Sequence, residues 1–195
     1  MHISCMDIST TKLEGLLLIS PQKHEDHRGY FSEFFRADKL KEYGFTRAFV
    51  QDNHSLSVES GVLRGLHYQK PPFAQDKLVR VPRGSIIDVA VDIRRGSPTF
   101  GEYYACELSA KNWRQLLVPQ GFAHGFVTLE PNTEVQYKCT NYYAPECDAG
   151  ILWNCPEIGI DWGSITDPIL SEKDTKHPTL SEAELVFTYE KPALA

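Results

Sequence analysis

The chain predicts an all-β protein, an antiparallel sandwich or barrel with a few short helices. Three observations lead there. Short apolar and β-branched segments recur along most of its 195 residues, separated by Gly, Pro and Asn. Helical periodicity is scarce, and no longer internal repeat is present. No apolar run reaches the roughly 18–20 residues that carry a helix across a bilayer. Apolar residues make up 42% and charged residues 24%, which excludes a disordered chain. A chain of this size buries one core, so 1–195 is expected to be one domain.

In chain order, the strand-like segments are Gly15–Ser20, Phe45–Ser55, Asp76–Pro82, Ser85–Ile93, Gly101–Leu108, Gln115–Pro119, Gly125–Leu129 and Glu134–Thr140. Each is rich in aliphatic, aromatic or β-branched residues. Pro82-Arg83-Gly84 and Pro119-Gln120-Gly121 punctuate them as turns. Ser85–Ile93 alternates partly, with Ile87, Val89 and Val91 on one face and Asp88 and Asp92 on the other, which predicts a half-buried strand. Ala37–Tyr43 is the best helix, closed by Gly44. Ser171–Asp174 and Ser181–Ala183 are candidates for short helical turns. The tail from about Pro156 to 195 is less regular than the preceding core of about 12–155.

The charges total −6, but residues 1–100 carry +2 and residues 101–195 carry −8. The net balance argues against a nucleic-acid binder, while an anionic small ligand would be held mainly by the first half. The five cysteines, Cys5, Cys106, Cys139, Cys147 and Cys155, form no C-x-x-C pair, which fits a reducing compartment. The first 15 residues lack the cationic-then-apolar order of a secretory signal. The expectation is a cytoplasmic protein with no membrane partner.

Seven histidines are present. His2, His24, His54 and His177 sit in polar contexts that suit solvated side chains. His67 and His124 instead lie in apolar, glycine-punctuated sequence. Taken alone, each is equally a hydrogen-bonded core histidine or a functional group. Pro119-x-Gly121-x-x-His124 resembles the second metal motif of cupins. The first cupin motif needs His-x-His and a nearby glutamate. Here the matching stretch is His67-Tyr68-Gln69, followed by Asp76 and the cationic Lys77. Expected ligands are missing, which points to a cupin-shaped site without a metal and a histidine freed for acid–base work.

A larger set of segments resembles the dTDP-4-dehydrorhamnose 3,5-epimerase family. They are Asp26 to Glu33, Phe49 to Ser55, Gly61 to Gln69, Lys77 to Arg80, Pro119 to Phe126, Tyr137-Lys138, Asn141 to Glu146 and Leu170 to Asp174, in order across roughly residues 12–187. The resemblance implies a metal-free and cofactor-free jelly-roll cupin. It implies inversion of C3 and C5 of dTDP-4-dehydro-6-deoxy-D-glucose in nucleotide-activated rhamnose synthesis. It also implies a homodimer whose nucleotide pocket is shared between subunits. Some relatives within the resemblance invert only C3 or only C5, or act on other nucleotide-linked keto sugars, and the sequence does not separate these alternatives.

The chemistry asks for a base, an electrophile for the enolate oxygen and an acid on the opposite face. By the resemblance these are His67 with its partner Asp174, Lys77, and Tyr137, with His124 a further donor. Arg28 and Arg64 match phosphate contacts, for which a guanidinium fork is suited. Glu33, Gln51, Asp52, Asn53 and Lys173 match ligand contacts, and Phe31 and Tyr143 offer stacking. Each also has a plainer reading: Asp174 as a helix N-cap, Tyr137, Phe31 and Tyr143 as packing, Lys77 as a solvated cation. Two other function classes stand beside the epimerase: a metal-dependent cupin enzyme, motivated by His124, and a non-catalytic sugar-nucleotide binding module.

Overall fold

A computed structural model describes residues 6–190; Cys5 and His2 lie outside the described residues. Among the described residues thirteen strands form, paired antiparallel throughout: β1 (Met6–Thr10), β2 (Leu17–Pro21), β3 (His24–Asp26), β4 (Gly29–Phe31), β5 (Gln51–Ser57), β6 (Leu63–Gln69), β7 (Lys77–Arg83), β8 (Ser85–Asp92), β9 (Tyr103–Ser109), β10 (Gln115–Val118), β11 (Phe122–Thr128), β12 (Thr133–Cys139) and β13 (Asp148–Gly150). One sheet runs β1-β2-β10-β7-β12-β5 and a second runs β13-β6-β11-β8-β9. The two face each other as a cupin-like jelly roll, the all-β architecture that the strand pattern predicts.

The sandwich core lies between the sheets. Val79, Val81, Leu116, Val118 and Val135 project from the first sheet onto Ile86, Ala90, Leu108, Phe122 and Phe126 of the second. Both outer faces are covered as well. Leu40, Phe35, Phe45 and Phe49 cap Leu17, Ile19, Leu78 and Leu117 on the first sheet. Ile158, Trp162, Leu180, Ala183 and Leu185, all from the segment without strands, cap Leu63, Val89, Val91 and Val127 on the second.

That double coverage corrects the half-buried reading of Ser85–Ile93. Asp88 and Asp92 are fully buried in β8 rather than solvated. Buried carboxylates need partners. Asp92 takes Arg94, Ser97 and Thr99, with Arg94 Nη2 at 2.7 Å, and Asp88 takes His124.

Four further expectations shift. Phe45–Ser55 is a strand only from Gln51, because Phe45 and Phe49 leave the ladder to stack on each other at 5.3 Å. The helix α1 (Ala37–Lys41) is shorter than Ala37–Tyr43; Gly44, at φ +83°, follows its last turn. Ser171–Asp174 and Ser181–Ala183 form turns, not helices. β6 and the exposed β3–β4 hairpin had no strand signature of their own: β6 is broken by Gly65, and the hairpin faces solvent on both sides.

Candidate active site

β6 and β11 cross the middle of the second sheet and set the two embedded histidines opposite each other: His124 pairs with His67 in the ladder. The glycines around them have a steric reason. Gly65 sits at φ +135°, and a Cβ there would lie 2.5 Å from Gly125 Cα. Only two glycines permit this backbone approach, which is why each histidine is embedded in glycine-punctuated sequence.

His67 Nε2 meets Asp174 Oδ1 at 2.5 Å. The carboxylate comes 107 residues later in the chain, from a turn in the tail. Asp174 is buried, and its other oxygen accepts a hydrogen bond from Ser171 Oγ at 2.8 Å. Burial opposes its ionisation, but His177, His67 and Ser171 facing it outweigh this and hold its carboxyl far below the ordinary range. Asp174 therefore stays an anion. Burial pulls the His67 imidazole below its ordinary value, and the Asp174 hydrogen bond only partly restores it. The ring is neutral at neutral pH. With Nε2–H donating to Asp174, the lone pair rests on Nδ1, which makes no hydrogen bond among the described residues.

A cavity of about 370 Å³ opens in front of this pair, lined by Arg64, His67, Lys77, His124, Tyr137, Lys173 and Asp174, with Val62, Phe126, Ile169 and Leu170 as its apolar wall. Lys77 enters from the start of β7, its Nζ donating to the His67 carbonyl at 3.4 Å. Burial draws its ammonium below the ordinary lysine value, offset in part by the charges of Cys139, Asp148 and Asp88. Tyr137 enters from β12. Burial lifts its phenol above the ordinary value, so it keeps its proton. His124 is 6% exposed and bonds through Nε2 to Asp88 Oδ1 at 2.8 Å. The site thus gathers a neutral imidazole braced by an anion, a desolvated cation, a protonated phenol and a second histidine. This set can remove a proton from an activated carbon, stabilise an oxyanion and return a proton.

The remaining predicted residues divide into two groups. Tyr143 and Gln51 do not line the cavity; they are bonded to each other, Gln51 Oε1 accepting from Tyr143 N at 2.9 Å, and the Tyr143 hydroxyl donates to Asp148 Oδ2 at 3.1 Å. Asp148 also pairs with Lys173. Asp148 was missed in the sequence because nothing in Cys147-Asp148 marks it locally. Asn53 Nδ2 reaches Cys139 Sγ at 3.5 Å. Asp52 stands on the outer face of the first sheet and pairs with Lys138 at 3.0 Å. Arg28, Phe31 and Glu33 do not line the cavity. Arg28 and Phe31 belong to the exposed β3–β4 region, where Arg28 pairs with Asp26 and Phe31 is 67% exposed.

His177 corrects the solvated reading given to it. Its side chain is only 10% exposed and stands against Asp174. His24 and His54 are exposed, as expected. Among the described residues, His67, Asp174 and His177 offer ligand atoms within 4.8 Å of one another. Asp76, the other carboxylate near the first cupin motif, does not line the cavity. It receives both Nε and Nη2 of Arg47 at 2.6 Å.

Comparison with known proteins gives the family. The family model described as dTDP-4-dehydrorhamnose 3,5-epimerase matches residues 10–182. A dTDP-4-dehydrorhamnose 3,5-epimerase of Sinorhizobium fredii is 48% identical over 98% of this chain and 95% of its own. The dTDP-6-deoxy-D-glucose-3,5-epimerase of Legionella pneumophila, solved with dTDP-4-keto-L-rhamnose, superposes with a TM-score of 0.90 at 46% identity, covering 95% of this chain and 100% of that one. The Bacillus anthracis dTDP-4-dehydrorhamnose 3,5-epimerase, solved with TDP and PPi, gives 0.86 at 49% identity over 89% and 99%. By its matched length, its identity to these enzymes and its fold, the chain belongs to the dTDP-4-dehydrorhamnose 3,5-epimerase family.

Proposed function

We propose that the chain inverts C3 and C5 of dTDP-4-dehydro-6-deoxy-D-glucose by proton transfer, with no cofactor. The observation that carries the reading is the 2.5 Å His67–Asp174 contact at the wall of a cavity that also holds Lys77 and Tyr137. The 4-keto group acidifies the protons on C3 and C5. His67 Nδ1 takes one, and the imidazolium is stabilised by Asp174, which also fixes the tautomer. Negative charge gathers on the sugar O4, where Lys77 and His124 are placed to stabilise it. Tyr137 returns a proton to the opposite face, which inverts the carbon. Binding alone needs no such base–acid pair, so a mere binding module does not explain this set.

Arg64 and Lys173, at the cavity wall, suit the pyrophosphate. Arg28, Phe31, Glu33 and the Asp52 strand are proposed to complete a nucleotide pocket across a homodimer. The open edge of β5 supports this, with Leu56 and Val58 exposed at 51% and 60%. So does the β3–β4 hairpin, whose six residues are all exposed. Residues 1–195 are read as one epimerase domain of the cytoplasm; the free thiols of Cys106, Cys139, Cys147 and Cys155 support that compartment.

The test supplies dTDP-4-dehydro-6-deoxy-D-glucose and follows C3 and C5 by NMR, comparing wild type with Tyr137→Phe. Wild type should yield the L-rhamno product. The variant should lose net inversion by about 100-fold or more while still removing protons. Equal slowing of both steps would remove Tyr137 from the donor role.

A further inference from the structure

His177 takes no part in these proton transfers, yet its placement is unusual. Its Nε2 is buried with no hydrogen-bond partner among the described residues and lies 3.7 Å from Asp174 Oδ1. Native structures rarely leave such an atom unmatched. The ring is held firmly: it meets the His67 ring edge-on with centroids 5.5 Å apart. It also lies over Gly150, where a Cβ would come within 2.4–2.6 Å of three ring atoms. Any other residue at 150 would displace the imidazole from this position.

We propose that His67, Asp174 and His177 form an inhibitory site for a divalent transition-metal ion of the Zn²⁺ type. One ligand atom from each lies within 4.8 Å of the others. Two imidazoles and a carboxylate suit Zn²⁺ or Co²⁺ and do not suit Mg²⁺ or Ca²⁺, which take oxygen shells. Metal–ligand bonds of about 2.1 Å in a tetrahedron put ligand atoms roughly 3.4 Å apart. The pairs now at 2.5 and 3.7 Å bracket that spacing. The Ser171 hydroxyl on Asp174 Oδ2 orients the carboxylate from outside, as metal sites commonly require. The cavity beside His67 and Asp174 has room for water in the fourth position. Lys173 is neutralised by Asp148. Lys77, which pairs with no carboxylate among the described residues, weakens cation binding and makes the site reversible.

The consequence rests on His67 being the base. In the free enzyme the single imidazole proton sits on Nε2, toward Asp174. A metal on Nε2 moves that proton to Nδ1, with no net proton released, and the lone pair that attacks the sugar is gone. The pyrophosphate contacts are untouched, so zinc should lower kcat and leave KM unchanged.

Calorimetry of Zn²⁺ into the chelator-treated full chain tests binding without substrate. Wild type should take one ion per chain, and His177→Gln and His177→Phe should each bind it at least about tenfold more weakly. Co²⁺ should give the intense visible absorption of a four-coordinate N/O site, a readout on wild type that no variant's folding can affect. Zinc should reduce wild-type kcat, and a chelator should restore it. No uptake by wild type, wild-type affinity in both His177 variants, an octahedral Co²⁺ spectrum, or uptake with unchanged kcat would each overturn the proposal. If the keto sugar is not turned over at all, the epimerase reading fails while calorimetry and the Co²⁺ spectrum still decide the metal site.

Discussion

At the residue scale, two histidines take different carboxylate partners. His67 faces the cavity on Asp174; His124 is bound to Asp88 on the neighbouring strand. Because burial lowers the His67 imidazole below its ordinary 6.5, kcat/KM should be flat near neutral pH. It should fall only as the pH drops through a value below 6.5, where protonation removes the lone pair. The alkaline limb should enter below 10.5, as the desolvated Lys77 loses its charge. Asp174→Asn removes the group that raises the His67 value, so the acid limb should move further down. The rate should fall by about 1,000- to 10,000-fold, because the amide no longer enforces the tautomer. An acid limb above that of wild type in Asp174→Asn would contradict the assignment. The sequence showed the residue types and their motifs, but not their pairings. Asp174 is 107 positions from His67 and Asp88 is 36 from His124. Asp148 and His177 owe their place in the site to folding alone, which is why local context misread one and passed over the other.

At the element scale, the strands that were legible are those rich in aliphatic and β-branched residues, such as β7, β8 and β10. β6 escaped notice because Gly65, which lets its backbone approach Gly125 of β11, interrupts its apolar pattern. The alternation of β8 misled because a tail without strands covers its outer face, so both faces are interior. That tail also carries Asp174, which makes it part of both core and site. Leu185→Ala, at a position 7% exposed, should cost about 2–4 kcal/mol, read as a lower urea midpoint with the slope unchanged. A cost within about 0.5 kcal/mol, as for an ordinary surface change, would show that the tail is not core. The β3–β4 hairpin contrasts with it. Its base is pinned by Tyr30 packing edge-on to Trp113 at 5.1 Å, with the Lys23 ammonium 4.4 Å from the Trp113 ring, and its tip is open.

At the scale of the molecule, the question is why a chain of net charge −6 should bind a pyrophosphate. A few positioned cations decide the local field, and Arg64, Lys77 and Lys173 converge on one cavity. One chain leaves Arg28 and Phe31 away from it, and the proposed shared pocket would bring them to it. Light scattering should give a mass twice the 22.1 kDa of the chain. Phe31→Ala should raise KM by about tenfold, near 1.4 kcal/mol, with kcat little changed. A monomer with full activity would remove the shared pocket.

As the proposed base, His67 takes protons from both C3 and C5. The most direct measurement incubates the protein with dTDP-4-dehydro-6-deoxy-D-glucose in deuterated water and reads both carbons by NMR. Wild type should place deuterium at C3 and at C5, and His67→Ala should place it at neither. Deuterium at only one carbon, or exchange by His67→Ala at the wild-type rate, would contradict the account.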